Sequence, residues 1–373
     1  MENCFKNVNG KLGFGCMRLP MVEDKVDIDL FSRMVDAFIE AGFNYFDTAK
    51  GYVKGLSEGA LRECLVQRYP RDKYLLADKL SSPFFKTEEE IRPLFTSQLQ
   101  ALGVESIDYY LMHAQDKANF DKFKSCRAYE IALELKQEGK IKHLGISFHD
   151  TADVLDTILN EYPEIEFVQI QLNYADYNDP SVQSKLCLDV CNRHGKPVIV
   201  MEPVKGGTLA RLSDAALDIF KSLGDMSVPS YAIRFAAGCE GVVMVLSGMS
   251  DLDMVLDNTG YMRDFVPLNT VELDAVSRVL DIIKGIDAIP CTDCKYCMEV
   301  CPKNIAIPAL FACLNTQRSF HYWNAEYYYS IHTDGRGSAG DCIECGLCEK
   351  ACPQHLRIRE LLKEVKGEFE KNS

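Results

Sequence analysis

Through residue 250 one pattern repeats: a short apolar run rich in β-branched and aromatic residues, a polar loop, then a stretch with apolar positions three and four apart. The apolar runs predict strands near residues 11–18 (KLGFGCMR), 43–47 (FNYFD), 74–79 (YLLADK), 108–113 (DYYLMH), 142–147 (KHLGIS), 167–173 (FVQIQLN), 197–202 (PVIVME) and 242–247 (VVMVLS). Amphipathic helices are predicted between them. The stretch DLFSRMVDAFIEAG, for example, is apolar at Leu30, Met34, Ala37, Phe38 and Ala41, the spacing of one helical face. Gly42, Gly103, Gly139 and Gly195 come just before the next strand, where a helix C-terminus favours glycine.

Eight strand–helix units are the count of a (β/α)8 barrel, which usually takes about 250 residues. A doubly wound open sheet reads the same way strand by strand. The strand ends separate the two. Polar or ionisable residues finish nearly every strand: Asp47, Lys79, His113, Ser147, Gln169 with Asn173, Glu202 and Ser247. A barrel gathers those ends around one mouth, whereas an open sheet would spread them along a line, most of them far from any crevice. No G-x-G-x-x-G follows the first strand either. The fold expected is α/β, a TIM barrel.

The pattern then changes. A further helix is expected to end at Gly285, and Pro290 leads into CTDCKYCMEVCP, which is followed by helical patterning, a cluster of aromatics and a second run, CIECGLCEKACP. The division expected is a barrel over residues 1–275 and a smaller, mainly helical domain over 276–373.

Composition narrows the function. The net charge is −14, from 55 acidic and 41 basic residues, and no basic run offsets it locally. Nucleic acid is therefore not an expected partner, since phosphate binding needs a basic footprint. The longest apolar run, GVVMVLSGM, is far shorter than the ~20 residues that span a bilayer, and the N-terminal stretch lacks the basic-then-apolar order of a signal peptide. No membrane association and a cytoplasmic setting are expected. Sixteen cysteines in such a chain point to metal chemistry rather than to a disulfide framework.

Eight of them, Cys291, Cys294, Cys297, Cys301, Cys342, Cys345, Cys348 and Cys352, form two runs of C-x2-C-x2-C-x3-C, each closed by proline. That is the ligand run of bacterial [4Fe–4S] ferredoxins, in which the fourth cysteine serves the other cluster. Two clusters are expected: Cys291, Cys294 and Cys297 with Cys352, and Cys342, Cys345 and Cys348 with Cys301. Structural zinc is the competitor, but it typically uses two C-x2-C pairs separated by a loop. Cys187, Cys191 and His194 make a looser grouping that lacks a fourth ligand and reads as a helix face.

In FNYFDTAKGY, Asp47 ends a strand and Tyr52 follows in the loop; Lys79 and His113 end the next two strands. Four such groups can meet over one carbonyl. Here the chain resembles the aldo-keto reductase family, over roughly residues 8 to 265, through FDTAKGY, LSEGALREC, ADKL, LGVESIDYYLMHAQD, EGKIKHLGIS and SGMSDLDMVLDN. The resemblance implies exchange of hydride between a nicotinamide cofactor, NAD(P)(H), and a small carbonyl or alcohol substrate. Tyr52 would be the general acid. A free phenol titrates near ~10, so Lys79 would lower its pKa, Asp47 would hold Lys79, and His113 would orient the carbonyl.

The resemblance also implies that Ser147 and Gln169 hold the carboxamide and that Pro203, Lys205, Gly206 and Gly207 lie along the pyrophosphate. Ser247, Gly248, Met249 and Asn258 would cradle the adenosine end. Phe148 stands where the family usually has asparagine, Met201 where it often stacks an aromatic, and Asp251 where its basic residue meets the 2′-phosphate. An aspartate repels that phosphate and suits a free ribose hydroxyl, so NADP preference should be weakened. Nicotinamide gives up electrons in pairs and clusters take them singly; a flavin usually mediates, yet no flavin motif is recognisable, though a partner or the barrel mouth could hold one without a local signature. Three readings stay open: a hydride enzyme whose clusters exchange electrons with a redox partner protein, a plain carbonyl reductase with structural or docking clusters, and a non-enzymatic electron carrier.

Overall fold

The computed structural model describes residues 4–285 and 288–371. Eight strands, all parallel, close into a barrel: β1 (Leu12–Gly15), β2 (Tyr45–Asp47), β3 (Leu75–Leu80), β4 (Ile107–Gln115), β5 (Ile141–Phe148), β6 (Phe167–Gln171), β7 (Val198–Met201) and β8 (Val242–Gly248). Each pairs with its sequence neighbours, and β8 returns to β1 with Leu12 opposite Val245. Every strand read from the pattern is present. A two-stranded hairpin, Met21–Val22 with Lys25–Val26, was not read from it; its residues are largely exposed, so no buried alternation announces it.

Side chains alternate between the barrel interior and the helical layer. Tyr45, Ala77, Tyr109, Leu111, Phe167, Ile199, Met244 and Leu246 fill the interior, while a larger cluster including Phe14, Phe46, Leu76, Tyr110, Ile146 and Val200 packs under the helices. Gly145 faces the interior, where an added Cβ would stand 2.4 Å from the Phe167 ring. Glycine there leaves the lumen volume to Phe167.

The helix Thr270–Lys284 starts with a capping box, Asn269 with Glu272, and ends at Gly285. Its Ala275, Val276 and Val279 pack with Phe220 and Tyr231 of the barrel's outer helices. Beyond it, helices Tyr296–Glu299, Ile307–Phe320, Asn324–Thr333, Leu347–Ala351 and Ile358–Phe369 enclose a second core around Leu310, Phe311, Tyr328, Ile358 and Leu362. The expectation of a mainly helical second domain holds. Val182, from the loop after β6, belongs to that second core, so the two parts share packed surface.

Candidate functional site

Period-two alternation places the polar strand ends. Tyr45, Ala77, Leu111 and Phe167 face the lumen, so Asp47, Lys79, His113 and Gln169, two residues further on, stand above the packed interior at the mouth. Lys79 Nζ donates to Asp47 Oδ1 at 2.5 Å and to the Thr48 carbonyl at 2.7 Å, and lies 4.6 Å from the centroid of the Tyr52 ring. Tyr52 meets His113 edge-on at 5.8 Å. Gln169 Nε2 donates to Asp47 Oδ2 at 3.3 Å. All four residues read as a tetrad come together.

Burial raises the Asp47 carboxyl, which Lys79 and Gln169 pull back down. Lys79 is raised: burial alone would lower it, but Asp47 and Tyr52 outweigh that. For Tyr52 the expected direction is reversed. Burial pushes its phenol above the ordinary value near 10, and the downward pull of Lys79, partly offset by Asp47, does not overcome it. Tyr52 thus keeps its proton at neutral pH. His113 is kept neutral, well below 6.5, by burial first and then by Lys79 and His149.

Ser81 escaped the sequence reading. Its Oγ meets His113 Nδ1 at 2.6 Å, which leaves Nε2 for a ligand. The signal was available: Ser81 follows Lys79 by two residues and so shares its face.

The residues assigned to a nicotinamide divide. Ser147 and Gln169 are buried at the mouth, Ser147 Oγ accepting from the Ala114 amide at 2.7 Å. Met201, at the end of β7, is half-buried and Pro203 is buried. Asn258 Nδ2 donates to Ser247 Oγ at 2.9 Å, tying the helix after β8 to the strand end, beside exposed Gly248 and buried Met249. Asp251 caps that helix, accepting from the Met254 amide at 2.8 Å. Lys205 departs from expectation. Its ammonium is wholly buried in an ion pair with Asp176 and lies 4.8 Å from the Phe320 ring of the second domain. Such a buried pair holds the loop down and presents no free cation to a pyrophosphate. Gly206 and Gly207 take positive φ beside it, and an added Cβ at Gly206 would meet the Tyr322 ring at 2.3 Å.

The cysteines form two pockets. One is lined by Cys301, Cys342, Cys345 and Cys348, the other by Cys291, Cys294, Cys297 and Cys352; Ile307 lines both. Each thus draws three thiols from one run and one from the other. The thiols surround a space rather than a point: among the described residues no three His, Cys, Asp or Glu side chains close on a single-ion site. Burial first, then Cys291, Cys294 and Cys348, push the Cys297 thiol up to about 12, and burial pushes Cys348 up to about 11. Four soft donors around an apolar space fit an iron–sulfur cage. Cys187 and Cys191 are buried, and His194 is taken up by Asp156 at 2.8 Å. They stay a helix face.

Comparison with known proteins agrees with both halves. The family model "Aldo/keto reductase family" matches residues 11–281, and "4Fe-4S dicluster domain" matches 290–356. An NADH-specific methylglyoxal reductase of Escherichia coli is 28% identical over 195 residues, 47% of this chain and 57% of that protein. D-threo-aldose 1-dehydrogenase of a Pseudomonas species is 22% identical over 302 residues, 69% of this chain and 90% of that protein. An aldo-keto reductase from Klebsiella pneumoniae in complex with NADPH superposes with a TM-score of 0.59 at 19% identity, covering 72% of this chain and 90% of its own. The holo form of an aldo-keto reductase from Bacillus halodurans gives 0.57 at 26% identity, covering 72% and 91%. The chain belongs to the aldo/keto reductase family, an oxidoreductase barrel continued by a 4Fe–4S dicluster domain.

Proposed function

We propose that the barrel interconverts a small carbonyl compound and its alcohol with a nicotinamide cofactor, and that the eight cysteines hold two [4Fe–4S] clusters with crossed ligation, which exchange electrons with a partner protein. The observation that carries the first half is the Asp47–Lys79 pair at 2.5 Å beneath the Tyr52 ring. Ser147, Gln169, Asn258 and the loops after β7 and β8 would hold the nicotinamide, which supplies or accepts a hydride. Tyr52 gives its proton to the carbonyl oxygen, and Lys79 stabilises the phenolate left behind. His113 donates from Nε2 to the same oxygen, its other nitrogen being occupied by Ser81.

NADH is the favoured cofactor in this reading, because Asp251 would oppose a 2′-phosphate. Similar proteins differ in this respect: one is an NADH-specific methylglyoxal reductase and another is an aldo-keto reductase in complex with NADPH. Binding titrations decide: NADPH bound tenfold tighter than NADH would remove the assignment.

A specific feature favours a structural role for the clusters as a second reading. The helix Ile307–Phe320 lines both thiol pockets with its first residue and packs Phe320 over Lys205 of the barrel with its last. Anaerobic protein mixed with NADH, then NADPH, would be followed by electron-spin resonance. Reduced-cluster signals from nicotinamide alone would join the two halves electrically, whereas silent clusters beside carbonyl turnover would leave the helical domain a support.

A further inference from the structure

The segment between the two cysteine runs lies over the barrel mouth. Tyr322 donates to Glu202, just past β7, at 2.6 Å; Glu202 also pairs with Arg18, from the loop after β1, at 3.6 Å. Tyr327 donates to Asp116, the residue after β4, at 3.1 Å, and its ring meets His149, the residue after β5, edge-on at 5.8 Å. His332 meets the Ser181 carbonyl, in the loop after β6, at 2.9 Å. One short stretch therefore touches residues just past β4, β5 and β7 and the loop after β6, on the face where the tetrad sits.

At the mouth Tyr52 meets His113, and at the rim a second set of rings runs from His149 to Tyr327, on to Trp323 at 6.3 Å and to Tyr322 at 5.8 Å from the indole. This rim arc begins just past β5 and ends on the β7 side, where Tyr322 bonds Glu202. Within it Tyr322 is 8% exposed and anchored, while Trp323 is 55% exposed. An indole left open between two anchored tyrosines has a free aromatic face.

We propose that Trp323 and Tyr327 form the outer wall of the carbonyl site and select compounds whose carbonyl is attached to a flat apolar group. The proposal rests on the carbonyl-reducing reading of the barrel. The chemistry of the wall supports the class. The Tyr327 hydroxyl is spent on Asp116, Arg18 is paired with Glu202, and burial holds His149 neutral, down to about 4. With these polar groups paired or neutral, the open indole of Trp323 offers aromatic surface, which attracts flat uncharged groups by stacking.

Benzaldehyde and propanal are the two probes, used on the full chain with clusters intact by visible absorption. Trp323→Ala should raise KM for benzaldehyde about three- to tenfold and leave propanal within about twofold, and Trp323→Phe should restore most of the loss. Trp323 is the chain's single tryptophan, so its emission reports the wall directly, and benzaldehyde should quench it saturably. Equal effects on both aldehydes, or no saturable quenching, would overturn the proposal while leaving the reductase reading in place. Quenching without turnover of either aldehyde would keep the wall and remove the reductase reading.

Discussion

The barrel mouth and the cysteine domain solve the burial of reactive groups in opposite ways. At the mouth the polar groups answer one another: Lys79 has Asp47 and Thr48, Asp47 has Gln169, His113 has Ser81. In the cysteine pockets the thiols have mainly each other, and burial with their mutual repulsion drives Cys297 up to about 12. The first site is held together by its own polar pairs, whereas the second gathers four soft donors around a shared apolar space. Self-satisfied polar networks rigidify a site, whereas unpartnered ligands turn metal binding into folding energy.

The contrast can be broken at graded cost. Tyr52→Phe removes the proposed proton donor and should lower turnover about a hundred- to ten-thousandfold, with the cluster absorption unchanged. A change in the cluster spectrum would show that the two sites are not independent. Asp47→Asn leaves a buried Lys79 without its counter-charge and should destabilise the barrel by about 3–5 kcal/mol in denaturant unfolding. A much smaller loss would mean that the mouth is not held by its own pairing.

Cys301→Ser tests the other side. Iron content should fall about twofold, with loss of the cluster at Cys342, Cys345 and Cys348 and retention of the one at Cys291, Cys294 and Cys297. Loss of the latter instead would contradict the crossed pockets. At the seam, Tyr322→Phe deletes one hydrogen bond to Glu202 and should cost about 1–3 kcal/mol of local stability, read as faster amide exchange around residues 320–328. The smallest effect is an expected absence of one. Tyr52 is raised, so it keeps its proton as pH rises toward 10, and His113 is lowered, so it stays neutral well below pH 6.5. The rate of carbonyl reduction should be flat between about pH 7 and 9, and a falling limb in that window would mean that Lys79 does depress the phenol.

The barrel was legible because it is made of local signals. Each strand is an apolar run, Asp47, Lys79 and His113 stand at or near the ends of theirs, and the thiol runs are contiguous. Contacts between distant segments were not legible. Lys205 looked like a phosphate-facing cation until its partner, Asp176, and its cover, Phe320, were brought to it from 29 residues upstream and from the second domain. The Tyr52 shift ran against expectation because burial, the largest influence on the phenol, leaves no local mark in the sequence. Ser81 could have been found by strand parity alone.

The crossed pockets also set an order of assembly. As the chain leaves the ribosome, Cys291, Cys294 and Cys297 emerge first, yet the fourth thiol of their pocket is Cys352, the last of the eight. All four thiols of the second run's pocket are made as soon as Cys348 appears, because its outside member, Cys301, comes earlier. The run synthesised first is therefore the last to gain its fourth thiol.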